Sequence, residues 1–238
     1  MSRNFGGILV RSGLALALML CLTPQARSGE EKTDYPKMAP VDQYMMDRNA
    51  EIALARTAAP PSISKDAEVL VLGRRGYESA AKGTNGFVCI VERSWTANSD
   101  DPVFWNPKLR APICFNPAAA RTYLPIVVRK TELILGGKSK EEMFDTIRAA
   151  FNKKALPLPE RNSMCYMMSS QQYLGDEAKR WHPHLMFFVP LADKNAWGAG
   201  VSGSPIISAP DVDDHLITFM IVVDKWSDGT TAPPMEHE

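Results

Sequence analysis

Two short apolar runs, at residues 164–168 and 185–189, stand out in the hydrophobic pattern of the chain. Each run is rich in residues that suit a pleated surface and is bounded by polar or proline-containing segments, which is typical of a strand buried on both faces. The polar loop between them ends in Trp181-His182-Pro183-His184. We therefore expect two central strands with a pair of histidines at one end.

Strand-like patterns also occur before and after this central pair. Apolar runs follow one another over residues 67–92, and Asn85-Gly86 between two of them is a hairpin signal because both residues tolerate positive φ. This segment is predicted to be a three-stranded antiparallel meander. A last strand is predicted at residues 216–223, whereas the glycine-, serine- and proline-rich residues 193–210 are predicted to form a loop.

Helical periodicity appears in three segments. Residues 41–56 present one broad apolar face and polar residues elsewhere. Asn116, followed by proline, is a preferred helix start, and Pro125 is expected to break or kink the helix that follows. Ser139 opens a capping box and a third amphipathic helix.

Together these elements predict the fold class and the domain organisation. We expect a single α+β domain over residues 62–238, with a mainly antiparallel sheet of about six strands and two or three helices packed on one face. Residues 29–61 are expected to form a polar lead-in and a helix that ends at a pair of prolines.

The N-terminus has the pattern of a signal peptide. Two arginines precede an apolar run at residues 13–22, and small residues follow, including Ala26 and Ser28. The run is shorter than the about 20 apolar residues that a membrane-spanning helix needs. We therefore predict a signal peptide over residues 1–28 and a periplasmic or secreted mature chain without a transmembrane segment. An uncleaved anchor is the alternative.

The charge balance narrows the choice of partners. The chain has 27 basic and 27 acidic residues, and a protein that binds nucleic acid usually has a basic excess or a basic cluster. We therefore expect no nucleic-acid partner.

The cysteines are informative because the predicted compartment is oxidising. Loss of the signal peptide removes Cys21 and leaves Cys89, Cys114 and Cys165. Cys89 and Cys114 both lie in predicted strands, so we predict a disulfide between them, with Cys165 as a buried free thiol. The alternative is that all three are small core side chains.

The histidines suggest a metal site. The proline between His182 and His184 favours an extended chain, which directs both imidazoles to the same side. A third ligand could come from the acidic loop with Asp213, Asp214 and His215. Three such ligands and an open position would suit zinc or iron. The alternative is that the histidines only satisfy loop backbone groups.

Methionines suggest a different metal, because thioether, thiolate and imidazole ligands suit Cu(I). The relevant residues all lie in apolar runs: Met164, Met167, Met168, Met186 and Met220. Each of these runs is also required for the core, where methionine commonly fills gaps. Packing is therefore the preferred interpretation.

Tryptophans suggest a ligand-binding cleft. All five fall in predicted loops or at strand ends: Trp95, Trp105, Trp181, Trp197 and Trp226. If these loops gather at one end of the sheet, the indoles line an aromatic cleft. The alternative is that each indole covers its own loop.

Two functions are compatible with these features. The first is a secreted or periplasmic, non-enzymatic module that binds a small ligand or an envelope protein and needs no cofactor. The second is a metal-dependent hydrolase or oxygenase with zinc or iron at His182, His184 and His215.

Overall fold

The computed structural model of the chain describes residues 35–177, 179–191, 197–211 and 215–234. All of these residues belong to one compact unit that spans Thr33–Glu238. The predicted signal peptide at residues 1–28 and the candidate ligands Asp213 and Asp214 lie outside the described residues. Within the described ranges, no helix is long and apolar enough to cross a bilayer.

A mixed sheet forms the body of the domain. Its strands are β1 (Glu68–Gly73), β2 (Gly76–Ala81), β3 (Val88–Glu92), β4 (Ala111–Phe115), β5 (Met164–Met167), β6 (His184–Pro190), β7 (Ile206–Asp211) and β8 (Leu216–Val222). Their order across the sheet is β2-β1-β3-β4-β5-β6-β8-β7. The predicted α+β class is confirmed. The described residues contain eight strands rather than about six, in part because β7 lies where a loop was predicted.

The first three strands differ from the predicted antiparallel meander. β2 returns beside β1, as expected, but β3 lies on the other edge of β1 and runs parallel to it. The connection passes close to the start of β1, where a Cβ atom on Gly83 would lie 2.1 Å from the Glu68 nitrogen. Glycine permits this close approach. The antiparallel prediction was wrong here because an alternation of strands and turns does not reveal such a crossing.

Five α-helices lie within the described residues. They are α1 (Arg48–Arg56), α2 (Pro61–Ser64), α3 (Pro117–Thr122), α4 (Leu124–Leu135) and α5 (Lys140–Asn152). The side chains of Asp47, Asn116 and Ser139 accept hydrogen bonds from backbone N–H groups in the first turns of α1, α3 and α5. The predicted capping box at Ser139 is confirmed. Pro125 lies in the first turn of α4, so the helical segment is divided just before this proline.

Helices cover both faces of the sheet, and the prediction that they pack on one face is wrong. Ala55 of α1 packs with Cys89 of β3, whereas Val127 of α4 packs with Ile90 of β3. Consecutive residues of a strand point to opposite faces, so we call these the α1 face and the α4 face. Both faces of β3 and β4 are apolar, and each therefore needs a cover.

A buried ion pair ties α1 to the sheet. The side chains of Arg93 and Glu51 are 0% and 1% exposed and meet at 2.9 Å. The Arg93 guanidinium also donates to the carbonyl oxygens of Tyr44 and Val91, and Glu51 accepts from the Leu72 N–H. These extra hydrogen bonds offset part of the cost of removing both charges from water.

The other end of the sheet has a different cover. In the described part of the chain, the helices make their main contacts with β1 to β5, so β6, β8 and β7 extend the sheet beyond them. We call β2-β1-β3-β4 the covered half and β6-β8-β7 the open half, with β5 between the two. The candidate sites lie at β5 and in the open half.

Candidate functional site

A cavity of about 650 Å³ opens at the boundary between β5 and the open half. It is lined by the loop at residues 159–163, by residues 187–190 of β6, and by Asn116, Met164 and Trp197. The cavity exists because β5 begins at Met164, opposite Phe187, whereas β6 continues to Pro190. The loop leaves the sheet at that point and forms a wall beside the last residues of β6, which pair with β8 but not with β5.

The Asn116 side chain holds this wall in place. Its amide nitrogen donates to the carbonyl oxygen of Asn162 at 2.7 Å, and its amide oxygen accepts from the Met164 and Ala119 N–H groups. Asn162 has a φ of 69°, in the left-handed region that asparagine tolerates better than most residues. One side chain therefore caps α3, anchors β5 and fixes the loop that borders the cavity.

Apolar and aromatic side chains form the floor of the cavity. Trp197 stacks on Phe219 of β8, with ring centroids 4.9 Å apart and an interplanar angle of 12°, and also contacts Phe187 at 5.3 Å. Phe187 and Phe219 are directly opposite each other, so Trp197 covers the α1 face of the open half. The indole is half-buried and borders the cavity, which gives the floor an aromatic edge.

The rim of the cavity carries an uncompensated positive charge. Glu160 pairs with Arg121, whose guanidinium lies 2.6 Å from the carboxylate. Arg161 is exposed and makes no ion pair or hydrogen bond with any residue that the structure describes. An anionic group on a ligand would therefore find a free guanidinium at the mouth of a cavity with an apolar floor.

The other predicted tryptophans lie elsewhere. Trp95 is fully buried, and its indole N–H donates to the Thr131 hydroxyl at 3.0 Å. Trp105 packs edge-on against Phe104, and Trp226 is 6% exposed. Trp181 packs against His184, with ring centroids 4.6 Å apart. The structure therefore places one of the five indoles, Trp197, at the cavity and does not gather all five into a single cleft.

His182 and His184 are adjacent, and their environments differ. His184 is 3% exposed, and its Nδ1 lies 2.7 Å from the carbonyl oxygen of His182. Burial lowers the pKa of His184 to about 4, because removal from water disfavours the charged imidazolium. His184 is therefore neutral at physiological pH. His182 is half-buried.

His215 lies far from this pair. His184 is opposite Val222, whereas Leu216, which follows His215, is opposite Pro190. The two histidines are thus at opposite ends of the paired strands β6 and β8, about 20 Å apart at about 3.3 Å per residue. His215 instead packs against Phe151, with ring centroids 5.2 Å apart. The structure therefore does not bring His182, His184 and His215 together. In the described ranges, no three His, Cys, Asp or Glu side chains are placed to hold a metal ion.

The cysteines follow the predicted arrangement. Cys89 and Cys114 are directly paired across β3 and β4 and form a disulfide. Cys165 is a buried free thiol, and burial raises its pKa well above the usual value, since an apolar environment disfavours the thiolate. Its reactivity in the folded protein is therefore expected to be low.

Comparisons with known proteins do not assign a family to this arrangement: no family model, no curated protein sequence and no solved structure matches the chain.

Sequence reasoning missed most of the cavity. Met164 and Phe187 were assigned to strands buried on both faces, whereas both residues are half-buried and line the cavity. The two apolar runs are equal in length, so the available signal was the pair of charged residues, Glu160 and Arg161, just before the first run. These residues indicate a polar loop, but not that the loop borders a cavity.

Proposed function

We propose that the protein is an exported binding protein whose ligand occupies the cavity between the 159–163 loop, β6 and Trp197. The observation that carries this proposal is the cavity itself, with a volume of about 650 Å³, an apolar floor and a polar rim. Small-molecule sites are commonly clefts of about 300–1,000 Å³ with mostly apolar linings and a few polar groups. An envelope protein as the partner remains a prediction from the sequence.

The lining favours an amphipathic ligand with a negative group. Met164, Phe187, Val189 and Trp197 offer apolar and aromatic surface for a ring or an acyl chain. Arg161 offers a guanidinium to a carboxylate or a similar anion. The ligand class that combines both features is a small organic acid with a substantial apolar part.

The polar groups of the cavity favour binding over catalysis. The side chains of Asn116 and Ser163 hydrogen-bond within the protein, and Glu160 pairs with Arg121. Arg161 remains for the ligand, but a guanidinium stays protonated and therefore does not exchange protons as a general acid or base does. The arrangement can hold and orient a ligand without transforming it.

Two features support export. The N-terminal sequence has the pattern of a signal peptide, and the Cys89–Cys114 disulfide suits an oxidising compartment. We propose the periplasm or the cell exterior as the location of the mature chain.

Tryptophan fluorescence tests the binding site. We would titrate the protein with long-chain and aromatic carboxylates and with their neutral amides. We expect an emission change in the wild type and in Trp105→Phe, because Trp105 lies outside the cavity, but not in Trp197→Phe. Arg161→Gln should weaken the binding of the carboxylates severalfold and leave the binding of the amides unchanged, because the substitution removes one charge-assisted contact.

The opposite pattern would count against the cavity. If Trp197→Phe retains the full emission change and Trp105→Phe loses it, the ligand binds elsewhere. If none of the carboxylates or amides changes the emission or the backbone NMR signals of residues 159–163, the proposed ligand class is wrong.

A further inference from the structure

Sulfur-containing side chains cross β5, β6 and β8 on the α4 face. Cys165 lies directly opposite Met186, and Met186 lies directly opposite Met220. Two positions along the strands, Met167 lies directly opposite His184. Residues two apart on a strand share a face, and Cys165 and Met167 belong to the core cluster on the α4 face. These five residues form one continuous group, which we call the sulfur patch.

The imidazole in the sulfur patch is held in one tautomer. A carbonyl oxygen only accepts hydrogen bonds, so Nδ1 of His184 donates its proton to the His182 carbonyl and Nε2 keeps its lone pair. Among the described residues Nε2 has no hydrogen-bond partner. His184 is 3% exposed as a residue, but its Nε2 is not among the buried polar atoms left without a hydrogen bond in the described part of the chain. The lone pair of Nε2 is therefore accessible to solvent and to an ion.

The strand register allows three donors to meet. Directly opposite residues have Cβ atoms about 4.5–5.5 Å apart, and residues two positions along a strand are about 7 Å apart. Met167, His184 and Met186 thus occupy three corners of a rectangle whose centre lies about 4 Å from each Cβ atom. Methionine and histidine side chains are long enough to reach a point above that centre. The two thioether sulfurs and Nε2 can therefore approach a single ion.

The donor set selects the ion. Thioethers are soft ligands that favour Cu(I), and imidazole is compatible with it, whereas calcium and magnesium require oxygen ligands. All three donors are neutral, so the bound ion would leave a net charge of +1 in the patch. A monovalent ion is less costly to remove from water than a divalent one, because the solvation penalty grows with charge.

We propose that the sulfur patch is a Cu(I) site, with the Met167 and Met186 thioethers and Nε2 of His184 as ligands and Met220 at its outer edge. Met186 and Met220 are half-buried, whereas Met167 is 7% exposed, so the ion reaches the site from the β8 side. The site lies on the opposite face from Phe187 and Trp197. It is therefore independent of the proposed organic ligand and of its cavity.

Anaerobic titration with Cu(I) tests this proposal. The full exported chain would compete for Cu(I) with a chromophoric chelator, and we expect one equivalent to bind. Met186→Leu should weaken binding at least about tenfold, because even the loss of a supporting outer-shell partner costs about 10–100-fold in metal affinity. The matched control is Met164→Leu. Met164 lies in the same strand as Met167 but faces the other side, so this change should leave the affinity unaltered.

Silver provides a second measurement that does not depend on variants. Ag⁺ has the same charge and a similar preference for thioethers, and NMR of labelled methionine methyl groups should show shifts at Met167 and Met186 but not at Met164. Three results would overturn the proposal. They are a wild-type affinity no higher than that of the Met167→Leu/Met186→Leu double variant, equal silver shifts at Met164, and binding that Cys165→Ala abolishes while the methionine variants retain it.

Discussion

The covered half and the open half of the sheet are stabilised in different ways. In the covered half, helices lie on both faces, all five residues of β4 are buried, and a buried ion pair and a disulfide reinforce the packing. In the open half, β6 and β8 contain many half-buried residues. Its cover comes from single aromatic side chains, namely Trp197 over Phe219 and Tyr123 over Phe188.

This difference suggests that the covered half stabilises the fold and that the open half binds ligands. Both candidate sites, the cavity and the sulfur patch, include residues of the open half, where many side chains are only half-buried and fewer contacts would have to be broken for a ligand to enter. Regions with fewer buried contacts generally supply binding surfaces, because they can admit a ligand at little cost. Mutations in the covered half should therefore change stability, and mutations in the open half should mainly change binding.

The largest loss of folding stability is expected when the buried ion pair of the covered half is broken. Glu51→Gln leaves the Arg93 guanidinium buried and uncompensated, and breaking such a pair costs about 3–5 kcal/mol. Denaturant unfolding would measure the loss. Arg48→Ala is the control, because it breaks an exposed pair with Glu78 and should cost less than about 1 kcal/mol. If Glu51→Gln and Arg48→Ala reduced the free energy of unfolding equally, the buried ion pair would not be a special source of stability in the covered half.

Removal of the disulfide should cause the next largest loss of folding stability. The double variant Cys89→Ala/Cys114→Ala opens a link between residues separated by 25 positions, and loops of this size typically contribute about 3 kcal/mol. We expect this loss in denaturant unfolding, with ligand binding at the cavity preserved in the folded fraction. Under denaturing, non-reducing conditions the mature wild type should show one reactive thiol, Cys165. A count of three would contradict the disulfide.

A volume-conserving change in the open half should cost little stability. Met186→Leu keeps the side chain apolar and similar in size, so we expect a loss below about 1.5 kcal/mol. The same variant should lose Cu(I) affinity. If Met186→Leu lost much stability and kept its Cu(I) affinity, the open half would also have a stabilising role, and the sulfur patch would be a purely structural feature.

The smallest expected change is in the pH dependence of stability. It concerns Asp176, which lies outside both halves of the sheet. Hydrogen bonds from Tyr173, Tyr35 and Lys108 lower the pKa of Asp176. Because the pKa of Asp176 is lower in the folded state, its carboxylate stabilises the fold. This contribution to stability is fully present above about pH 4, the ordinary pKa of an aspartate, and declines as the pH falls below that value. The difference in thermal midpoint between wild type and Asp176→Asn should therefore be greatest near neutral pH and shrink below about pH 4. A difference that is the same at pH 3 and pH 7 would contradict this linkage.

Local signals in the sequence predicted several elements correctly. The α+β class, the helix start at Asn116 and the capping box at Ser139 agree with the structure. These features depend on short-range effects, such as the match between a capping side chain and a free backbone N–H or the period of apolar residues. The pairing of Cys89 with Cys114 was one of two open alternatives from the sequence, because it depends on the neighbouring strands, and the structure joins them.

The sequence by itself thus determined the α+β class, the helix starts at Asn116 and Ser139, which runs are apolar and which residue types are available for chemistry. Only the tertiary structure decided how they are combined. The crossing at Gly83 makes β3 parallel to β1, and strand register puts Met167, His184 and Met186 on one face but sends His215 to the far end. The physical reason is that register and face are set by pairing between strands distant in sequence, and a shift of one residue would move every side chain to the other face.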